Sequence, residues 1–369
     1  MKKLVIIGAN DFQNQLILKA KSLGYETHVI AWRDGAVGEK SADFFYPISI
    51  VEKDAILEEC RRIKPDGVCS IASDLAAITV NYVAENLGLP CNATAYTAEQ
   101  TNKYAMRRAM SQAGIPCPRF IIADNSTDFE KELSGFSFPI IVKPTDRSGS
   151  RNIMKLESLD GIGQAVAEAC ETSFEKKAIV EEYLTGDEYS MESISFGGKH
   201  HFLAVTKKFT TGAPHFIETG HQQPSDLSDE TVAKAIDTIF RALDALHVEN
   251  SASHAEFRVD NDGNIKIIEI GARMGGDCIG SDLVYLSTGH DFVRMVIDVA
   301  CGNEPVLNEN PTKRTAKIRF LFDQKDLDDF EQFRKDNENI IYRVSDFELE
   351  NIGNVTDSST RIGYYITLE

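Results

Sequence analysis

The chain has 369 residues, room for two or three domains, and its 42% hydrophobic and 26% charged residues are those of a folded chain rather than a disordered one. Asp plus Glu (57) outnumber Lys plus Arg (39), leaving a net charge of −18. That excess argues against a nucleic-acid or anionic-membrane binder, which needs a basic face, but it permits a small anion held in a local nest of Lys, Arg and backbone N–H groups.

The first segments alternate strand and helix. Leu4-Val5-Ile6-Ile7 is a continuous apolar run ending at Gly8, the pattern of a strand buried on both faces of a parallel sheet. Helical spacing follows through Leu16, Ile17, Ala20 and Leu23, then a strand at Thr27–Ile30. The alternation continues with a strand at Phe45–Ile48, a helix at Ala55–Ile63, a strand at Gly67–Ile71 and a helix at Ala76–Leu87. Residues 1–92 therefore read as a small doubly wound α/β unit. Its first turn, Gly8-Ala9-Asn10-Asp11-Phe12, carries one of the three glycines of G-x-G-x-x-G, so it reads as a tight connection and not as a dinucleotide site.

A helix holding Lys103, Met106, Arg107 and Met110 opens the next unit, which mixes strands and helices in the α+β manner over 93–305. From 306 to 369, strands at Thr315–Phe322 and Arg361–Leu368 flank the acidic stretch Asp323–Asp336, which suggests a small C-terminal α+β domain. The cysteines at 60, 69, 91, 117, 170, 278 and 301 form no C-x-x-C pair, so free thiols in a reducing compartment are expected. The apolar run after Met1-Lys2-Lys3 is too short for a secretory segment, and no stretch approaches the roughly 20 apolar residues of a membrane span; the expected location is the cytoplasm.

The chemistry gathers in three places. The stretch His254–Ile270 reads as a hairpin around Asp262-Gly263. If Asn261 pairs with Asn264, then Arg258 opposes Ile267 and Glu256 opposes Glu269 on one face, where like charges need compensation. A divalent cation supplies it best, because Mg²⁺ takes carboxylate oxygen; the competing reading is a solvated pair neutralised by Lys266 or Arg258. Arg273, four residues beyond Glu269, suits a transferring phosphoryl group, or else pairs with Asp277 on the surface. Upstream, Phe138–Pro144 is an apolar strand ending in Lys143, followed by the loop Thr145–Asn152 with Ser148, Gly149 and Ser150; a point charge facing flexible backbone donors makes a phosphate cradle, though not a P-loop. Between them, Ala178–Ser190 is an apolar strand and a linker through Glu181, Tyr183 and Leu184 to Glu188.

Together these segments resemble the ATP-grasp superfamily over about residues 1–300: Lys103 on a helix, F-P-x-x-x-K-P at Phe138–Pro144, a small-residue lid loop, E-x-x-x-x-G-x-E at Glu181–Glu188, and a double-glutamate hairpin ending in Arg273. The resemblance implies a pre-ATP-grasp unit (1–92), an ATP-grasp fold (93–305, lid about 120–185) and a C-terminal domain. It implies that Lys103 and Lys143 hold ATP phosphates, with Ser148, Gly149 and Ser150 in the lid. Adenine would meet backbone groups of Glu181 and Leu184 beside Tyr183, and Glu188 would hold the ribose. Glu256 and Glu269 would bind Mg²⁺, with Mn²⁺ as a substitute, and Arg273 would hold the acyl-phosphate side. Many members have E-x-N-x-R where this chain has Glu269-Ile270-Gly271-Ala272-Arg273, one metal ligand fewer. The G-A-R variant with Phe216–His221 upstream looks most like the L-amino-acid ligase branch, placing Glu218 and His221 near substrate as catalytic candidates; Lys207 or Lys208, with Lys208 preferred, would add a phosphate contact. The implied activity is an ADP-forming carboxylate–amine ligase working through an acyl phosphate on an amino acid or similar small carboxylate. Its partners would be ATP, the carboxylate and the amine, with no nucleic acid or membrane, and a homodimer is compatible with it. The alternatives are a relative using bicarbonate or a purine precursor, and a nucleotide-binding protein without turnover.

Overall fold

The computed structural model describes every residue except 148, 150, 214, 215 and 313. Its first 90 residues hold a four-stranded parallel sheet in the order Phe44–Tyr46, Glu26–Ile30, Lys3–Ile7, Gly67–Cys69. Helices start where the sequence offers caps. Asn10 accepts from the N–H groups of Phe12 and Gln13 to open Asp11–Ser22, and Ser73 accepts from Ala76 to open Asp74–Leu87. The second cap matters for the site, because it places Asp74 at the carboxyl edge of the parallel sheet, where α/β folds bind ligands. The helix Phe292–Ala300, distant in sequence, closes this unit's core against Leu4, Ile6 and Val29.

A second sheet, antiparallel, runs Phe120–Ala123, Ala178–Glu182, Ile140–Pro144, Met154–Leu156, with the helix Ile162–Thr172 packed on it through Ala165, Val166 and Ala169. The largest sheet has eight strands in the order Ile265–Gly271, Ala252–Val259, Asp187–Phe196, Lys199–Thr210, Glu218–Gln223, Ala316–Leu321, Gly363–Leu368, Ile341–Val344. Behind it the helix Asp229–Ala245 buries Ala235, Ile239, Ala242 and Leu243 at helical spacing against Phe257 and Ile267, each large apolar side chain contributing about 1.5–3 kcal/mol.

One expectation changes here. The C-terminal strands form no sheet of their own; Ala316–Leu321 pairs with Glu218–Gln223, so the last 54 or so residues prolong the central sheet. The reason is that Glu218–Gln223 is a strand whose outer edge needs a partner. The acidic stretch is the helix Gln324–Asn337, seated by Leu327 and Phe330. All seven cysteines are free thiols, and no helix among the described residues is long and apolar enough to cross a membrane.

Candidate active site

The hairpin reaches the expected pairing of Glu256 with Glu269 by a different route. Its loop is longer than two residues: Val259 pairs with Ile265, and Asp260 Oδ1 accepts from the N–H groups of Asp262 and Asn264. That shifts the register by one, so Arg258 opposes Lys266. A bulge at Ile268 then restores the offset before Glu256 meets Glu269. The extra residue has a use, since its carbonyl accepts from the Arg107 guanidinium.

Both glutamates line one cleft between the lid sheet and the central sheet. Neither is neutralised by Lys266 or Arg258. Lys103 Nζ donates to Glu269 Oε1 at 2.8 Å, and Lys208 Nζ donates to Glu256 Oε1. Each carboxylate thereby keeps an Oε2 with no protein partner among the described residues. Two opposed carboxylates with a free oxygen apiece suit Mg²⁺, which is held by one or two carboxylates plus substrate phosphates.

Lys103 opens the helix Lys103–Gln112, where Asn102 caps the N-terminus and the Lys103 N–H donates to the Thr145 carbonyl at 2.7 Å. Lys143 points into the same cleft from the lid sheet and is paired with Glu181. Burial opposes the charge on Glu181, but Arg107 (Nε–Oε2 3.0 Å) and Lys143 outweigh it, so its carboxyl lies below the ordinary range. Glu181 thus offers a carboxylate to two cations, beyond the backbone role expected of it. Among the linker groups, the Leu184 carbonyl is taken by Arg258 Nη1 at 2.9 Å, and the Tyr183 N–H by the Pro139 carbonyl at 3.0 Å. The Leu184 N–H has no partner among the described residues. Glu188 stands between Arg258 (2.9 Å) and Lys208 (3.4 Å). Gly186, with φ 101°, is required: a Cβ there would run into the Val259 carbonyl. Gly149 lines the cleft mouth, while Ser148 and Ser150 lie outside the described residues.

Lys208, not Lys207, enters the cleft. Lys207 points the other way, to Asp187 and Asp226. Lys208 is 7% exposed, and although burial alone would lower its pKa, Glu256, Glu188 and Glu218 together raise it. On the resemblance's implication that this cleft takes the nucleotide, Lys207→Ala is expected to leave ADP affinity within about twofold, whereas Lys208→Ala is expected to lose about 10- to 100-fold, the worth of one charge-assisted hydrogen bond of about 1.5–3 kcal/mol. Calorimetric titration of ADP with Mg²⁺ checks both, and equal effects would reject the assignment.

Arg273 does not pair with Asp277. Its Nε donates to Asp74 Oδ1 at 2.8 Å, which ties the hairpin to the N-terminal unit. Burial raises the Asp74 pKa but Arg273 more than offsets it, so the carboxyl stays below its ordinary value. Gly271 stands at the Asn position of the E-x-N-x-R pattern, and the space of its missing side chain is filled: a Cβ would lie 3.0 Å from Arg273 Cζ and 3.2 Å from Asp74 Oδ1. Asp277 pairs instead with Arg361 at 2.6 Å.

Glu218 lines the cleft, 3.7 Å from Lys208, and accepts from Ser358 Oγ at 2.6 Å. His221 does not line it. It is 1% exposed, on the strand Glu218–Gln223, packed edge-on against Phe320 with Nε2 3.7 Å from Asp277. Burial holds its pKa below the ordinary value, and neither ring nitrogen has a hydrogen-bond partner among the described residues.

Sequence reasoning missed Arg107, His254 and Glu192 as parts of this cluster. Several had a signal. Glu188-x-Ser190-x-Glu192 and His254-x-Glu256-x-Arg258 place polar residues at every second position of otherwise apolar strands, which marks one polar face. Arg107 shares its helix face with Lys103, Met106 and Met110, all buried. His254 contacts Glu192 through Nδ1 and Glu256 through Nε2 (3.3 Å); burial disfavours its charge, but the two carboxylates lift its pKa to about 9.

A family model described as the ATP-grasp domain matches residues 136–282, the stretch that contributes Lys143, the linker and the double-glutamate hairpin. Residues 136–282 match an ATP-grasp domain. The ATP-grasp fold extends to solved structures: an L-amino acid ligase from Bacillus licheniformis superposes with a TM-score of 0.81 at 22% identity, covering 100% of this chain and 93% of that one. At that identity the likeness speaks for the fold. Among curated relatives, the alanine–anticapsin ligase of Bacillus subtilis is 26% identical over 299 residues, 70% of this chain and 61% of its own. Carnosine synthase 1 of Mus musculus is 23% identical over 344 residues, 85% of this chain and 41% of its own. The chain thus spans about half the length of the curated relatives it matches.

Proposed function

We propose that this ATP-grasp chain is an ADP-forming carboxylate–amine ligase. The observation that carries the reading is the convergence of Lys103, Lys143, Lys208 and Arg273 on the opposed Glu256 and Glu269 in one cleft. An acidic protein that concentrates cations around two half-free carboxylates is built for a phosphate ester with a divalent cation. The γ-phosphoryl group of ATP passes to a substrate carboxylate oxygen, giving an acyl phosphate and ADP. The amine nitrogen then attacks the carbonyl carbon, the bond to phosphate breaks, and the amine loses a proton. No nucleophilic side chain is required, and the protein's work is positioning and charge neutralisation.

Within this reading, Lys103, Lys143 and Lys208 take the phosphates and the Leu184 N–H meets the adenine edge. Glu188 lies at the ribose, and Gly149 belongs to the lid over them. Glu256 and Glu269 would hold Mg²⁺, which when bound supplies charge neutralisation at the transferring phosphoryl group. Arg273 spans the carboxylate and that group, where a planar fork of donors is worth most in the transition state. Of the Glu218 and His221 pair, Glu218 faces the cleft and is the nearer base for the amine; His221 sits behind it. The relatives named as ligases, one of them with alanine, favour an amino acid as one substrate. Turnover then takes place in the cytoplasm, and a homodimer is compatible with the arrangement.

The test is ADP release against a panel of amino-acid pairs and then bicarbonate. Release that needs two amino acids and yields one equivalent of phosphate supports ligation; release with bicarbonate alone would replace the reading by a carboxylase-type one. Lys143→Ala is expected to weaken ADP binding by about 10- to 100-fold in calorimetry. Unchanged affinity would make Lys143 a partner of Glu181 only.

A further inference from the structure

Two buried groups, Glu192 and His254, stand behind Glu256. Glu192 has no exposed surface, and a buried carboxylate costs several kcal/mol unless it is paired and hydrogen-bonded. It lies on Asp187–Phe196, directly across the ladder from His254, as Ser190 lies across from Glu256. Its Oε1 meets His254 Nδ1, and its Oε2 accepts from the Gly275 N–H at 3.1 Å. The other nitrogen of His254, Nε2, is 3.3 Å from Glu256 Oε1, the oxygen that also takes Lys208. One chain of contacts therefore runs from the turn after Arg273, through Glu192 and His254, to the carboxylate assigned to the metal.

Space along this chain is tight. A Cβ on Gly275 would lie 2.7 Å from His254 Nδ1 and 3.0 Å from both Glu192 carboxylate oxygens. The φ of Gly275 is not in the left-handed region, so backbone freedom does not explain the glycine at this position. Room for the Glu192–His254 contact does.

We propose that Glu192 and His254 are positioning residues that hold Glu256 Oε1 in place, so that Oε2 faces the divalent cation, and that lock this carboxylate to the Arg273–Gly276 turn. Two fixed contacts on Oε1 remove the rotamer freedom that a lone glutamate at a cleft edge would lose on binding the ion. The same clamp keeps the metal side and the acyl-phosphate side of the cleft in a constant relation. This rests on the nucleotide reading proposed above.

The experiment measures ADP binding by calorimetry with EDTA and across a Mg²⁺ series, beside a thermal melt of the ligand-free protein. In His254→Ala, the Mg²⁺ concentration that gives half of the metal-dependent tightening is expected to rise about tenfold or more, the usual cost of losing a group that orients a metal ligand. ADP affinity in EDTA should stay within about twofold. Gly275→Ala keeps every charge and only crowds the clamp; it should shift the Mg²⁺ midpoint in the same direction, which carries the test if His254→Ala fails to fold. His254→Asn, which can still donate to one carboxylate, should recover part of the shift. A folded His254→Ala or Gly275→Ala with the wild-type midpoint overturns the proposal. Equal losses with EDTA and with Mg²⁺ also overturn it, since they describe a merely structural residue. Wild-type protein whose ADP affinity ignores Mg²⁺ overturns the nucleotide reading and this inference together.

Discussion

Glu269→Gln is expected to lower ADP formation by about 10³-fold or more while leaving the fold intact. The side chain is about a quarter exposed at the cleft, and a glutamine can still accept from Lys103 at the position of Oε1. What disappears is the negative charge opposite Glu256, and with it half of the carboxylate pair that would hold Mg²⁺. A metal supplies several kcal/mol of stabilisation to a transferring phosphoryl group, and about 4 kcal/mol is a factor of 10³. Chelating the metal from the wild-type protein should give a loss of the same order. A coupled ADP assay, run beside a thermal melt, checks both. Glu269→Gln with near-normal turnover at saturating Mg²⁺ would reduce the paired glutamates to a pair of lysine partners.

Arg273→Ala carries the second large effect, and it has two parts. ADP formation should fall about 10²- to 10³-fold, the cost of removing one well-placed donor from a charged transition state. Stability should also fall, by about 2 kcal/mol, because Asp74 loses its partner in a site only about a fifth exposed; a fully buried pair would cost about 3–5. Asp74→Ala separates the parts. It should lower the urea midpoint about as much as Arg273→Ala and yet keep at least about tenfold more ADP-forming activity. Equal losses in both assays would make Arg273 a tie between the N-terminal unit and the hairpin and nothing more.

Much of the architecture could be read along the chain because its causes are local. Leu4–Ile7 and Ile140–Val142 are continuous apolar runs of the kind a strand buried on both faces carries. The candidate residues stood out for a similar reason. A lysine ending an apolar strand and a glutamate inside one are costly unless something is bound or paired there.

The hairpin shows where this reading stops. Its turn and its register were both misjudged by one residue, and the errors cancelled at Glu256 and Glu269 because Ile268 bulges; a bulge answers to Arg107, 161 positions away, and leaves no local mark. The choice between Lys207 and Lys208 and the burial of His221 had the same character. The first depended on which face of Lys199–Thr210 turns to the cleft, and the second on Phe320, which packs against His221 from the far end of the chain. Composition, strand and helix patterns, and the presence of paired charges were thus determined by the sequence alone, since near neighbours cause them. The partners of those charges, Asp74 for Arg273, Glu181 for Lys143 and Glu192 for His254, were decided only by the tertiary structure. Sequence separations of 199, 38 and 62 residues can be closed by many folds, and only packing selects one.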